Sequence, residues 1–527
     1  MGNIETLLCS NSLSLSISSR GNTSSLPQIG YHVIIPFIIL FIYNREIRMV
    51  FSGLTFLLLF FPVVIALVLF SRNIRYQNGI LLAASLIFYA WGEPKWILAM
   101  IAVTAVNYFC ALPMQKDDLS PRWKKVLLIL GITSGLGLLF WFKYCAFFVN
   151  AFGSLFHQEK LMEKLPLPIG ISFYTFQALT YTVDVYRGKA RVQNNPFKLL
   201  LYVSCFPQLI AGPIVQYADI EQQLDHRTIS KTGYILGFRR FTLGLAKKVL
   251  LANLCGSALS AFGTADTTSM TILGAWISAI LYGLQIYFDF SAYSDMAIGI
   301  GRMLGFIYKE NFDYPYLSAS ITEFWRRWHM SLGAFFRDYV YIPLGGNRKG
   351  TVRLVLNLLI VWGLTGLWHG ASWNFLIWGL FYGILLIIEK LVLGKKIDTI
   401  PAVIRHIVTL FFVLIGWVLF YYEDISFAWT HLLAMFGMTA GNGAVHVIPV
   451  INEKQILLMG KYGLVILVMM FFSTPACRLI SDRWKKRDRQ KRCGFEPAAG
   501  LISILLLALS VITLIGQSYN PFIYFRF

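Results

Sequence analysis

From residue 50 onward the chain alternates long apolar stretches with short polar connections rich in Lys and Arg. The stretches lie near 50–70, 78–92, 97–114, 126–142, 168–186, 197–214, 236–262 and 271–300, then near 352–369, 373–393, 403–422, 456–474 and 499–516. A helix needs about 20 apolar residues to cross about 30 Å of hydrocarbon, and most of these come close. Several are broken by Pro or Gly, which predicts re-entrant or interfacial segments and about eleven true spans. Irregular backbone at membrane depth is tolerated only where it lines an enclosed cavity. Leu165 to Gly170 and Phe206 to Pro213 have that character. The pattern defines an all-α polytopic membrane protein.

Composition agrees. Hydrophobic residues make up 57% of the 527 and charged residues 14%, against about 25% charged in soluble domains. A soluble enzyme, a disordered scaffold and a β-barrel are excluded. Lys and Arg exceed Asp and Glu by 46 to 26, a net charge of +20. The bases cluster in short connections, where cytoplasmic loops carry them, and no nucleic-acid motif accompanies them. Arg483–Arg492 holds seven bases in ten positions and is expected to be a cytoplasmic loop. The seven cysteines (Cys9, Cys110, Cys145, Cys205, Cys255, Cys477, Cys493) are scattered singly. They form neither a disulfide framework nor a metal site.

Residues 1–48 break the pattern. They are Ser- and Asn-rich, then carry a short apolar run, Val33–Tyr43, followed by Arg45 and Arg48. With a first span at Val50, the Arg72/Arg75 connection lies inside, the Glu93-Pro94-Lys95 turn outside and Lys116–Lys125 inside. A span before Val50 would invert this charge pattern. Residues 1–48 are therefore expected to be an appendage, with Met49 as the natural start. Val33–Tyr43 lacks the flanks of a secretory signal. Met1–Thr6 matches a myristoylation pattern, to which little weight attaches ahead of that start.

Candidate chemistry concentrates around two histidines. His369 lies in an apolar helical stretch, with Thr365 four positions before it, Ser372 three after and Trp373 four after. Gly363, Gly366 and Gly370 form a small-residue stripe where another backbone or a ligand can approach. A polar residue inside a membrane usually faces a cavity or a partner, and imidazole suits general-base work near neutral pH. The competing reading is a packing histidine bonded to Thr365 or Ser372. His329 follows a capping box, Ser320 and Glu323, on an expected amphipathic interfacial helix whose apolar side carries Trp325, Trp328, Leu332, Phe335, Phe336 and Tyr339. Arg326 and Arg327 on that helix suit either donor phosphates or lipid headgroups. Gln285, Asp289 and Asp295 form one polar set in apolar surroundings; Gln177, Tyr181 and Asp184 form another. Either set lines a polar tunnel, orients a histidine, or forms structural ion pairs with bases such as Arg187 or Arg302, the last being favoured. No P-loop, G-x-S-x-G or H-E-x-x-H motif is present. The residues alone leave two classes: a membrane enzyme with buried histidines, or a carrier relaying protons through histidine and aspartate.

Trp325-Arg326-Arg327-Trp328-His329, with Leu367-Trp368-His369-Gly370 forty residues on, resembles the membrane-bound O-acyltransferase superfamily. Phe206–Pro213, Tyr287–Ile298, Asp338–Asn347 and the tail Tyr519–Phe527 narrow the resemblance to the bacterial branch that O-acetylates alginate and other exported polysaccharides. Met49–Pro62 resembles that branch's N-terminus, so residues 49–527 are expected to form one acyltransferase domain. Ala292 departs from an expected Gly. The resemblance implies about eleven helices around a tunnel, with His369 as the catalytic histidine and His329 as its companion. Asp289, Asp295 and Ser372 become tunnel polar groups. It implies no bound cofactor or metal, acetyl-CoA as donor, and an extracytoplasmic acetyltransferase partner at the plasma membrane. Two alternatives stay open: D-alanyl transfer to teichoic acid from a carrier protein, and a non-catalytic acetyl carrier.

Overall fold

The computed structural model describes residues 49–154, 156, 161–210, 212–262, 270–441, 444–491, 494–516 and 522–523. The expectations for residues 1–48 lie outside them. Among the described residues, nine helices are long and apolar enough to cross a membrane. In chain order the helices are α1 (Phe56–Leu69), α2 (Ile74–Gly92), α3 (Ile97–Gln115), α4 (Pro121–Ser154), α5 (Ile171–Tyr186) and α6 (Pro196–Ser204). Then come α7 (Lys231–Phe262), α8 (Ile272–Met303), α9 (Ile321–Arg327), α10 (Met330–Phe336), α11 (Thr351–His369) and α12 (Trp373–Thr399). The last are α13 (Ala402–Tyr421), α14 (Ile425–Met435), α15 (Glu453–Phe472), α16 (Ala476–Lys491) and α17 (Phe495–Ile515). The nine long apolar helices are α3, α4, α7, α8, α11, α12, α13, α15 and α17; α1 and α14 are shorter apolar helices. The expected eleven spans thus meet nine.

The difference falls where Pro and Gly interrupt the pattern. In place of spans at 168–186 and 197–214 the chain forms the 16-residue α5 and the 9-residue α6. Every residue of α5 from Ile171 to Val185 is buried, so this helix is enclosed by protein. Gly170 starts it with a left-handed backbone (φ 73°), and a Cβ there would stand 2.9 Å from the Leu209 carbonyl oxygen. Only glycine meets both demands. Helix starts elsewhere follow side-chain caps: Asn73, Ser120, Ser230, Thr271 and Asp424 each accept a backbone N–H of the first turn, the role these residue types favour.

Two further expectations change. Arg483–Lys491, expected as a loop, is the C-terminal part of helix α16; Arg492 is outside the described residues. Exposed Leu479, Ile480 and Trp484 share α16 with the bases. A small antiparallel hairpin pairs Met438–Gly441 with Ala444–Val447, the departure from an all-helical chain.

Helices α7 and α8 touch through small residues: a Cβ on Gly244 would lie 2.7 Å from the Ala292 carbonyl oxygen, and one on Gly237 2.6 Å from that of Gly299. Helices α11 and α12 meet the same way. A Cβ on Gly366 would lie 2.1 Å from the Phe375 carbonyl oxygen, and one on Gly379 2.2 Å from that of Trp362. The small-residue stripe therefore admits a neighbouring backbone at Gly366, while Gly370 faces the Phe375 ring. Four of these helices also contain π turns, at Phe56–Phe60 in α1, Phe140–Tyr144 in α4, Lys247–Ala252 in α7 and Ile388–Leu393 in α12, and another, Arg337–Tyr341, follows α10.

Candidate functional site

His369 is the last residue of α11. Gly370 then adopts extended backbone (φ −172°), and Ser372 is the N-cap position of α12. The helix thus stops before Ser372 and Trp373, and their expected one-turn spacing from His369 does not hold. The Thr365 hydroxyl donates to the Val361 carbonyl at 2.8 Å. Trp368, Trp378 and Phe420 pack on the imidazole of His369, which is 5% exposed, with centroids 4.9, 5.1 and 5.1 Å away.

His329 is not on the face of a continuous helix. Helices α9 and α10 flank a break at Trp328–His329, where His329 takes left-handed angles (φ 46°, ψ 52°). The capping box forms in part: Glu323 N–H donates to Ser320 Oγ at 3.0 Å, but the Glu323 carboxylate accepts from Ala319 N–H, one residue before the cap, at 2.8 Å. The amphipathic spacing is therefore right for α9 alone, and the break turns His329 inward to 2% exposure. A non-glycine residue in this conformation costs about 1–2 kcal/mol, and such strain gathers at functional sites.

Asn311, unremarked in the sequence, decides the state of His329. Its Oδ1 accepts from Ser331 N–H at 3.1 Å and Ser331 Oγ at 2.9 Å, and lies 3.2 Å from His329 Nδ1. A backbone N–H can only donate, so this atom is an oxygen, and Nδ1 of His329 carries the proton. In the neutral imidazole Nε2 is then a bare acceptor, with no hydrogen-bond partner among the described residues. The His329 ring meets Phe290 at 4.7 Å and Trp368 at 5.7 Å. Trp368 thus touches both histidines.

A cavity of about 690 Å³ opens beside the end of α11. Gly370, Ala371, Ser372, Asn374, Lys143 and Asn150 are among the residues lining it, with Glu423 and Asp424 from the α13–α14 connection. Lys164, Leu165 and Leu167 also line it, as expected of the Pro-rich 165–170 stretch. Phe206–Leu209 instead forms a short buried helix, with Phe206 N–H bonded to Ser85 Oγ at 3.1 Å. The Asp424 carboxyl is held below the usual carboxylate range by hydrogen bonds from the Ser426 backbone and hydroxyl. Of the three expected tunnel groups, Ser372 alone lies on this wall, its hydroxyl without a hydrogen-bond partner among the described residues.

The two aspartates are elsewhere. Asp289 meets Lys248 at 2.5 Å and Asp295 meets Arg240 and Lys247, each at 2.6 Å. The ion-pair reading holds, but the cations come from α7, not from Arg187 or Arg302. The second set divides likewise: Asp184 accepts from Tyr339 Oη at 2.8 Å, and Tyr181 Oη accepts from Gln193 N–H at 3.2 Å. Arg327 is engaged by Glu323 at 2.8 Å and by the Asp313 carbonyl at 3.3 Å, whereas Arg326 is exposed.

Sequence reasoning also passed over the tail as a structural element. Ile523 N–H donates to Asp289 Oδ2 at 2.6 Å, and the buried Phe522 ring packs on Tyr293 at 4.7 Å beneath the Lys248 ammonium. Ile523 lines a smaller cavity of about 160 Å³ together with Gln285, Phe375, Phe420 and Glu423. Lys143 was missed too, although a lone base in an apolar run is itself a signal. Among the described residues no cluster of metal-ligating side chains occurs.

Fold and site together define a multi-pass helical membrane protein with two buried histidines joined through one indole, next to a cavity of mixed polar and apolar lining. Residues 179–428, which contain both histidines, match the model of the membrane-bound O-acyltransferase family, MBOAT. The chain is 36% identical over 529 residues to the probable alginate O-acetylase AlgI of Pseudomonas aeruginosa, covering 91% of this chain and 100% of that protein. It is 31% identical to the peptidoglycan O-acetyltransferase of Helicobacter pylori, covering 92% and 98%. To the teichoic acid D-alanyltransferase of Streptococcus thermophilus it is 28% identical, over 43% of this chain and 58% of that one. The chain belongs to the membrane-bound O-acyltransferase family. It is an O-acyltransferase.

Proposed function

We propose that this enzyme takes an acetyl group from a cytoplasmic thioester, acetyl-CoA, and passes it across the plasma membrane for O-acetylation of an exported polysaccharide such as alginate. The observation that carries the reading is the pair of buried histidines about Trp368, one of them followed directly by residues that line a cavity, Gly370, Ala371 and Ser372. The named activities of the two high-coverage relatives, alginate O-acetylase and peptidoglycan O-acetyltransferase, support acetyl as the group moved.

Charge supports the direction of transfer. The helix ends remote from the cavity carry Arg122, Lys124 and Lys125 on α4, Arg353 on α11, Lys395 and Lys396 on α12 and Arg405 on α13. By the positive-inside rule those ends are cytoplasmic, and the cavity with Glu423 and Asp424 faces outward. The α16 bases belong to the cytoplasmic side in this reading. An extracytoplasmic acetyltransferase partner then receives the group at the cavity and delivers it to the polymer.

In the chemical step the acceptor hydroxyl adds to the thioester carbonyl. His369 takes the hydroxyl proton, the C–S bond breaks as the C–O bond is completed, and the proton leaves on the thiol. General-base assistance of this kind contributes about 10²–10⁴-fold. His329, with Nε2 open, orients the reacting groups or shares the proton. Exposed Arg326 is the better candidate for the donor's phosphates, because Arg327 is already held by carboxyl and carbonyl oxygens. No resident cofactor enters this chemistry.

The test uses purified protein with and without its extracytoplasmic partner, and acetyl-CoA labelled on the acetyl group. CoA release and label transfer to an oligosaccharide are followed for wild type, His369→Ala and His329→Ala. Loss of both in folded His369→Ala is expected; unchanged turnover overturns the assignment. If wild type cleaves only a carrier-protein thioester, the D-alanyl reading replaces this one. If His369→Ala still cleaves the donor but fails to move the group, the chain is a carrier.

A further inference from the structure

Lys143 lies in the π turn Phe140–Tyr144 of α4. Its ammonium donates to the Trp368 carbonyl at 2.5 Å, and the neighbouring Tyr144 hydroxyl donates to the Leu367 carbonyl at 3.0 Å. The last carbonyls of any helix lack partners within that helix, and a cation suits them because they carry the negative end of the helix dipole. Here both donors come from a different helix, 225 and 223 positions away in sequence. They grip the two residues immediately before His369. The π turn explains how consecutive side chains reach one target, since its extra residue widens the helix locally, and such turns recur at functional sites.

Lys143 also has a second aspect. It is half-buried and lines the 690 Å³ cavity with Gly370, Ala371 and Ser372. An ammonium has three donor protons, and one goes to Trp368. No carboxylate forms an ion pair with Lys143 among the described residues. A lysine kept in an apolar helix only to pair a charge would have such a partner.

We propose that Lys143 is a positioning residue for acyl transfer: together with Tyr144 it pins the final turn of α11, so that the His369 imidazole is held in place immediately before Gly370, Ala371 and Ser372, which line the outward cavity. The proposal rests on His369 being the base. It places the effect of Lys143 on turnover and leaves donor binding, at the opposite helix ends, untouched. A displacement of about 1 Å in a reacting group is enough to lower a rate about 100-fold.

The experiment measures CoA release from acetyl-CoA by the full-length protein, together with its extracytoplasmic partner, for wild type, Lys143→Met, Lys143→Arg, Tyr144→Phe and His369→Ala. Thermal melting is followed in parallel. For Lys143→Met the expected result is a kcat lower by about 10- to 100-fold, with KM for acetyl-CoA within twofold and an unshifted melting temperature. Lys143→Arg recovers most of the loss, because a guanidinium can still cap the carbonyl, and Tyr144→Phe loses less. Wild-type kcat in Lys143→Met overturns the proposal. So does an equal loss in the Met and Arg variants that tracks a fall in melting temperature, which marks a packing lysine. If Lys143→Met does not fold, Lys143→Gln against Lys143→Arg is judged by the same criteria. His369→Ala at wild-type turnover overturns the underlying base assignment whatever Lys143 does, so the two failures are separable.

Discussion

Along the contact between α7 and α8, each buried carboxylate meets cations: Asp289 with Lys248, and Asp295 with Arg240 and Lys247. Next to this seam, where Phe290 of α8 packs on His329, the polar groups about the histidines are compensated in the opposite manner. His329 commits one nitrogen to Asn311 and keeps the other open, and the rings against both imidazoles are aromatic. Both regions bury polar atoms in an apolar bundle, where an uncompensated group is costly. The seam pairs its carboxylates with cations and holds helices together. The histidine centre leaves the Nε2 lone pair of His329 without a hydrogen-bond partner among the described residues, and a proton acceptor needs such a lone pair.

The largest effect that would sharpen this contrast is His369→Ala, expected to lower turnover about 10²–10⁴-fold with little change in melting temperature, measured as CoA release. Next, Lys248→Met leaves a buried carboxylate without its cation and is expected to destabilise the protein by about 3–5 kcal/mol. Adding Asp289→Asn should recover most of that loss, because the amide still accepts from Ile523 N–H. Failure of the double variant to recover would mean that the seam does more than balance charge. Asn311→Ala is expected to destabilise by about 1–3 kcal/mol by stranding the donors of Ser331 and His329, and to lower kcat as well. Asn311→Asp, which keeps an acceptor oxygen, should do less of both. The smallest effect separates backbone from side chain at position 329. His329→Gly relieves the left-handed strain and should melt higher than His329→Ala by about 1 kcal/mol in stability, while both lose the same turnover. Equal stability would show that the strain is not stored there.

Much of this architecture was legible in the chain. Hydropathy and length located the long helices, because a membrane span needs little beyond both. The Pro and Gly interruptions foretold that 168–186 and 197–214 would not be ordinary spans. His369 stood out as a polar residue in an apolar run, and Ser320 and Glu323 announced the start of α9. What escaped depends on contacts distant in sequence or on backbone angles that no residue type declares. The break at His329 lacks a glycine to signal its left-handed turn. The partners of Asp289 and Asp295 lie about 40 to 55 positions away, at Lys248, Lys247 and Arg240, so their charges were visible but not their pairing. Asn311 is a polar residue in a connection, and only the folded chain brings its oxygen to Ser331 and His329. Lys143 carried a signal that was readable and went unread.

The π turn at Phe140–Tyr144 has an evolutionary side. A π turn amounts to one extra residue taken up within a single wider turn of an α-helix, so the helix on either side keeps its faces. Deleting one residue there would leave a helix just as apolar and just as able to insert. The widened turn would close, and Lys143 and Tyr144 would no longer both reach the end of α11. Substitutions within the turn are graded in their effects, but a single-codon deletion is all-or-none. Libraries of one-residue deletions, scored for secretion of acetylated polymer, should therefore show a sharp intolerance at 140–144, in a helix whose outer face accepts most apolar exchanges.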